Sequence, residues 1–210
     1  MYIYCLTHSL ERQEQSKIDL DNIGCKYEFF KGIYGLDFNI NIWNSILKGL
    51  DLTHFVNKKW KMKENEKCKV YSHFINMILI LKDAIRNNRK NIIILEDDTK
   101  INELPNLETI PEECEILLLK LDNLNNKIPK KGYNKTIAFY GSYCILYLNP
   151  EKTLEKLLNH KTFNQVYDLH LSKNKNELKI YSIYPYLAEF NKYYANSLIW
   201  NKNISTNNNV

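Results

Sequence analysis

Apolar positions along this chain follow two rhythms, short unbroken runs and stretches that repeat at helical spacing, and together they predict strands and helices in turn. Tyr2–Leu6 reads as a first strand, and Leu10 to Ile23 as a helix with Ser9 as its N-cap and Gly24 as its stop. Lys26–Phe30 reads as extended and runs into Lys31-Gly32-Ile33-Tyr34-Gly35, where glycines mark a loop. Ile42, Trp43, Ile46, Leu47 and Leu50 recur at the spacing of a short amphipathic helix. Asp51–Lys69 turns polar and lysine-rich and is expected to be a mobile loop. Val70, Phe74, Ile75, Ile78, Leu79, Leu81 and Ile85 then predict a largely buried helix from Val70 to Arg86, ended by Asn87-Asn88.

The next run, Asn91-Ile92-Ile93-Ile94-Leu95, is the unbroken β-branched pattern of a central strand covered on both faces, and Glu115–Leu119 repeats it. Thr136–Leu148 reads as two strands broken near Gly141-Ser142, a hairpin. Asn149-Pro150-Glu151 places an N-cap before a proline at the first helical position, and Leu154, Leu157 and Leu158 supply the inner face. Lys179–Tyr184 is a late strand. Strands alternating with helices predict an α/β layer fold with a mainly parallel sheet, made mixed by the hairpin. One domain over 1–195 is expected, followed by a disordered tail at 196–210, where Asn201–Val210 is almost wholly polar. In open sheets of this kind, ligands bind beyond the carboxyl ends of the strands.

Composition narrows the class. With 210 residues, 44% hydrophobic and 25% charged, the chain is neither disordered nor collagen-like. Its 29 basic and 24 acidic residues leave +5, a balance that suits anionic ligands but not the dense cationic stripe of a nucleic-acid binder, and no nucleic-acid partner is expected. Cys5, Cys25, Cys68, Cys114 and Cys144 stand far apart without zinc-site spacing, so reduced, buried thiols are expected. The amino terminus has no signal-peptide pattern. Phe74 to Leu81, the longest apolar segment, is far short of the roughly 20 residues a membrane span needs. A soluble, cytoplasmic protein is the expectation.

The chemistry concentrates at Glu96-Asp97-Asp98, directly after the central strand. Neighbouring carboxylates raise one another's pKa unless something positive joins them. A divalent cation such as Mg²⁺ or Mn²⁺, held by one or two carboxylates and by substrate phosphates, meets that need. Strand alternation points Glu96 and Asp98 one way and Asp97 the other. The competing reading is an acidic strand end that merely faces water.

Ile92-Ile93-Ile94-Leu95-Glu96-Asp97-Asp98 resembles the hydrophobic-Leu-Glu-Asp-Asp motif of glycosyltransferase family 25, which holds bacterial lipooligosaccharide and collagen galactosyltransferases. Three further stretches agree in order and spacing. Tyr2–Leu6 with Leu10-Glu11-Arg12 resembles the family's first strand and turn, and Glu66 to His73 resembles the head of the helix before the acidic strand. Tyr140-Gly141-Ser142, Asn149-Pro150 and Val166-Tyr167-Asp168 resemble its carboxyl half. The sequence departs from the family at Cys68-Lys69, where a Gly-Cys pair is usual, at Arg12, which stands for paired arginines, and at the extra residue in Val166-Tyr167-Asp168.

The resemblance implies a GT-A-like fold and transfer of a hexose, galactose or glucose, from a nucleotide-diphosphate donor such as a UDP-hexose. The acceptor is a hydroxyl on a glycan or protein, as in lipopolysaccharide synthesis, with Mn²⁺ or Mg²⁺ as cofactor and inversion at the anomeric carbon. By family position, Asp168 is the acceptor-side base, and His73 touches the donor sugar or diphosphate unless it is a histidine bonded inside the fold. Asp98 takes the metal with Glu96 and His170 as further ligands; His170, in an apolar-flanked loop, has a structural role as its alternative. Thr7, Arg12, Ser72, Glu96, Asp97, Gly141 and Ser142 line the nucleotide sugar. Arg12 either forks onto phosphate or lies exposed on its helix. Tyr181, Tyr184, Tyr186, Tyr193 and Tyr194 could stack on an acceptor or simply pack the last strand. A second reading keeps the fold without the chemistry, a catalytically inactive relative that binds glycan or protein.

Overall fold

The computed structural model describes residues 1–50, 52, 62–122, 129–136, 140–159, 167–173 and 177–191. The first half runs β1 (Tyr2–Thr7), α1 (Leu10–Ile23), β2 (Lys26–Lys31), α2 (Ile40–Gly49), α3 (Glu64–Arg86) and β3 (Ile92–Glu96). The second half runs β4 (Thr99–Ile101), β5 (Ile116–Asp122), β6 (Gly132–Lys135), β7 (Tyr140–Tyr147), α4 (Pro150–Asn159), α5 (Tyr167–Lys173), β8 (Ile180–Tyr184) and β9 (Ala188–Phe190). Helix ends carry the chemistry their sequences announce. Ser9 accepts the Arg12 N–H at the head of α1, Gly24 closes that helix at a φ of 69°, and Asn149 accepts the Lys152 N–H at the head of α4.

Among the described residues the main sheet has seven strands in the order β2-β1-β3-β7-β5-β8-β6. β1 lies parallel to β2 and β3, β7 runs antiparallel between β3 and β5, β8 is parallel to β5, and β6 is antiparallel to β8. Five strands therefore share one direction and only β6 and β7 oppose it, giving the expected mixed, mainly parallel sheet. β4 and β9 form a separate two-stranded ribbon.

Period-two alternation along β3 divides the core. Ile92 and Ile94 pack with Phe74, Ile78 and Leu81 of α3 and with Trp43, Leu157 and Leu171 of α2, α4 and α5. Ile93 and Leu95 pack on the other face with Ile3, Cys5 and Leu20, and with Ile101 and Ala188 of the ribbon. Both faces of β3 are thus covered, which is why its sequence reads as an unbroken apolar run. Each such side chain contributes about 1.5–3 kcal/mol on leaving water. The five cysteines are free thiols, and four of them are buried.

The structure corrects several expectations. The polar segment expected as a loop through Lys69 is helical from Glu64, because Glu66 reaches back to the Lys63 N–H and caps the first turn of α3; residues 51 and 53–61 lie outside the described residues. Among the described residues no hairpin is formed after Thr136. β7 crosses Gly141 unbroken and pairs with β3 and β5, so its antiparallel pairings come from insertion between two parallel strands. β6, over Gly132–Lys135, pairs with β8 instead. The short β4, β6 and β9 were not expected, and His170 sits on α5, not in a loop. The tail at 196–210, Tyr193 and Tyr194 lie outside the described residues.

Candidate active site

The alternation that sorts the core continues into the acidic run. Glu96, in phase with Ile92 and Ile94, emerges on the α3 face, where one carboxylate oxygen lies 3.8 Å from His73 Nε2. Asp97, in phase with Ile93 and Leu95, turns to the α1 face and takes Arg12 Nη1 at 2.8 Å. The Asp97 carbonyl accepts from Ser16 Oγ at 3.5 Å. Asp98 follows in the turn before β4. Its carboxylate accepts from Thr99 Oγ1 at 3.2 Å and its carbonyl from the Asn191 N–H at 2.7 Å. Arg12 is therefore neither exposed nor free for phosphate alone: it is a partly buried partner of Asp97, whose Oδ2 is buried without a hydrogen-bond partner.

Burial sets the electrostatics. Glu96 is pushed well above the usual carboxylate range, first by desolvation and then by Asp98, Asp168 and Asp97, with Arg12 opposing. Asp98 is raised to about 6 by burial and Asp97, against the pull of Arg12 and Thr99. His73 is lowered to about 4, by burial and by the neighbouring His8. Near neutral pH the His73 ring is thus neutral, and its contact with Glu96 is not an ion pair.

This donor set suits a hard divalent cation: carboxylate oxygens, partly or wholly withdrawn from water, whose ionised form Arg12 does not offset. Among the described residues no three His, Cys, Asp or Glu side chains converge to hold an ion by themselves. Asp98, Glu96 and His170 therefore do not form a three-ligand cage. His170 packs its ring edge-on to Phe74 at 5.6 Å, buried in the core. Asp98 with Glu96 remains the pair that could hold a cation whose other ligands come from substrate.

Asp168, at the head of α5, comes close enough to Glu96 to raise its pKa. Its Oδ2 accepts the Gly141 N–H at 2.8 Å. Gly141 has a φ of 79°, and a Cβ there would strike the Tyr143 ring, so glycine is required on both counts. The neighbouring Tyr167 stacks on His73 with ring centroids 5.8 Å apart and shares a 2.7 Å hydroxyl–hydroxyl bond with Tyr147.

Other expected site residues are spent locally. Thr7 Oγ1 donates to the Ser9 carbonyl and accepts the Ser9 N–H, shaping the turn into α1. Ser72 donates to the Lys69 carbonyl within α3 at 2.8 Å. The Ser142 side chain lies outside the described residues. Tyr181 donates to Glu113 at 2.6 Å, while Tyr184 and Tyr186 meet edge-on at 5.6 Å.

Three residues of this neighbourhood, His8, Asn76 and Tyr147, have no role assigned from the sequence, and Tyr167 stands there only within the Val166-Tyr167-Asp168 motif. His8 Nδ1 lies 3.2 Å from the Gly32 carbonyl, which makes that nitrogen the donor. Asn76 clamps the Ile33 peptide, accepting its N–H and donating to its carbonyl. The available signal was Asn76 itself, a polar residue on the apolar face of a buried helix.

Fold and site together define an α/β protein with an acidic centre at the carboxyl end of its central strand. The profile of glycosyltransferase family 25 (LPS biosynthesis protein) matches residues 1–193. The chain belongs to that family. Among solved structures it is similar to the glycosyltransferase GlyE of Streptococcus pneumoniae TIGR4, with 11% identity and a TM-score of 0.41 over 87% of this chain and 45% of that one. The chain thus spans less than half the length of that relative. No curated protein matches the sequence.

Proposed function

We propose that the protein is a metal-dependent glycosyltransferase that moves a hexose from a nucleotide-diphosphate donor, such as a UDP-hexose, to a hydroxyl on a glycan or protein acceptor, with inversion. One observation carries the reading: buried Asp98 and half-buried Glu96 are carboxylates of raised pKa at the sheet's carboxyl end, and the Arg12 charge beside them is paired with Asp97. Evolution of a structural strand end would not favour such a cost. A site for a cation that arrives with the donor accounts for it.

Asp98, with Glu96, would hold Mn²⁺ or Mg²⁺. The bound cation supplies charge neutralisation to the departing diphosphate. Asp168, oriented by the Gly141 N–H, takes the proton of the acceptor hydroxyl as its oxygen attacks the anomeric carbon and the nucleoside diphosphate leaves. Neutral His73, stacked on Tyr167, offers a hydrogen bond to donor oxygens without adding charge. Arg12 acts through Asp97, holding the acidic turn against α1.

The test is calorimetric titration with a panel of nucleotide sugars, with and without Mn²⁺, beside an assay for nucleotide release. The reading expects cation-dependent binding of at least one donor, lost in Asp98→Asn. Binding of glycan by a chain that neither binds nor cleaves any donor would favour the inactive relative instead.

A further inference from the structure

Beside the acidic centre, on the β9 side of the sheet, stands a group of side chains that the proposed chemistry leaves unused. The Lys120 ammonium lies 4.9 Å from the Tyr186 ring centroid and 5.3 Å from that of Phe190. Phe190 meets Tyr143 edge-on at 4.5 Å, and Tyr184 continues the row against Tyr186 at 5.6 Å. Lys120, Tyr143, Tyr186 and Phe190 are all partly open to solvent. Among the described residues no carboxylate lies within salt-bridge range of Lys120.

The backbone is irregular where this lysine is presented. The register of β5 against β7 shifts on both sides of Lys120. Leu119 packs in one core face and Leu121 in the other, although strict alternation would put both on the same side. Such an irregularity re-aims side chains, and here it accompanies a lysine among aromatic rings. Both ends of the group are tied to the acidic centre. Tyr143 packs on Gly141, whose N–H holds Asp168, and Phe190 precedes Asn191, whose N–H holds the Asp98 carbonyl.

We propose that Lys120, Tyr143, Tyr186 and Phe190 form the acceptor subsite, and that it takes an anionic pyranose, a sugar bearing a carboxylate or a phosphate. Aromatic rings offer the apolar face a pyranose stacks on, and the ammonium offers a charge-assisted bond to the anion. Tyr143 lies against Gly141, the residue that holds Asp168, which puts the bound sugar on the side of the base that would deprotonate an acceptor. The inference rests on the glycosyltransferase reading for the word acceptor, and its test is built to fail separately.

The full chain, without donor, is titrated with glucose, glucose 6-phosphate, methyl glucuronoside and inorganic phosphate, following amide shifts by NMR. An anionic sugar should bind about 10-fold more tightly than glucose, the size of one charge-assisted hydrogen bond. Lys120→Met should erase that preference, Lys120→Arg should keep it, and Tyr186→Ala should weaken every sugar. A preference for only one of the two anions supports the subsite and fixes its class. Equal affinity for charged and neutral sugars, inorganic phosphate binding as well as the sugar phosphate, or a preference surviving in Lys120→Met would overturn it. A chain that binds the anionic sugar but cleaves no donor keeps the subsite and loses the transferase reading; donor cleavage without the preference does the reverse.

Discussion

Asp168 and Gly141, on α5 and β7, are joined by one hydrogen bond of 2.8 Å from the glycine N–H to the aspartate Oδ2. That bond fixes the carboxylate proposed as the base, and the backbone of the glycine that offers it is left-handed. Gly141→Ala forces a Cβ into the Tyr143 ring and a strained φ, at a cost of about 1–3 kcal/mol. The expected outcome is a fall in kcat with an unchanged Kd for the donor. Steady-state rates and donor titration on the same preparation check it; wild-type turnover would remove Asp168 from the role given to it.

The paired hydroxyls of Tyr147 and Tyr167 lead to an asymmetric expectation. Either single change to Phe strands the remaining buried hydroxyl and should destabilise by about 1–3 kcal/mol, whereas the double change should cost less than the two singles added. Chemical denaturation of the three variants reads this directly. Additive losses would mean the two hydroxyls do not depend on each other.

Arg12, largely withdrawn from water, pairs with buried Asp97, so removing the arginine leaves a buried charge without compensation. Arg12→Met should cost about 3–5 kcal/mol, and adding Asp97→Asn should recover part of it. Thermal melts of the single and double variants measure the coupling. A fully tolerated Arg12→Met would show that this arginine does not hold the acidic turn.

Two opposite pH dependences meet in the site. His73 has a folded pKa of about 4, below its ordinary 6.5, so its contribution to stability is present above 6.5 and lost as pH falls toward 4. Asp98 is raised from 3.8 to about 6, so its contribution is present at low pH and lost as pH rises through 6. NMR titration should find the His73 ring neutral at pH 5.5. A divalent cation competes with the Asp98 proton, so Mn²⁺ should raise the melting temperature more at pH 7.5 than at pH 5. An Mn²⁺ effect independent of pH would separate the ion from this carboxylate.

What the sequence made legible follows from how local each signal is. α1, with Ser9 and Gly24 at its ends, and β3, with its apolar run, carry their own instructions. The opposition of Glu96 and Asp97 also follows from strand period alone. The insertion of β7 between β3 and β5 is a long-range pairing, and nothing near Thr136 distinguishes it from a hairpin. The three-residue β4 and β9 are too short to show a period. His8 carries no local signal and Tyr167 stands only within the Val166-Tyr167-Asp168 motif, because their significance lies in partners far along the chain, Gly32 and Tyr147. Arg12 stands out in the sequence, but its partner Asp97 is 85 positions away and only the fold joins them.

The central claim is that the buried carboxylates after β3 exist to hold a cation together with an activated sugar. Calorimetric titration of wild type and Asp98→Asn with a UDP-hexose, each with and without Mn²⁺, tests it most directly. The account predicts donor binding in the wild type only when Mn²⁺ is present, and none in Asp98→Asn under either condition. Equal donor binding by both proteins, indifferent to Mn²⁺, would contradict it.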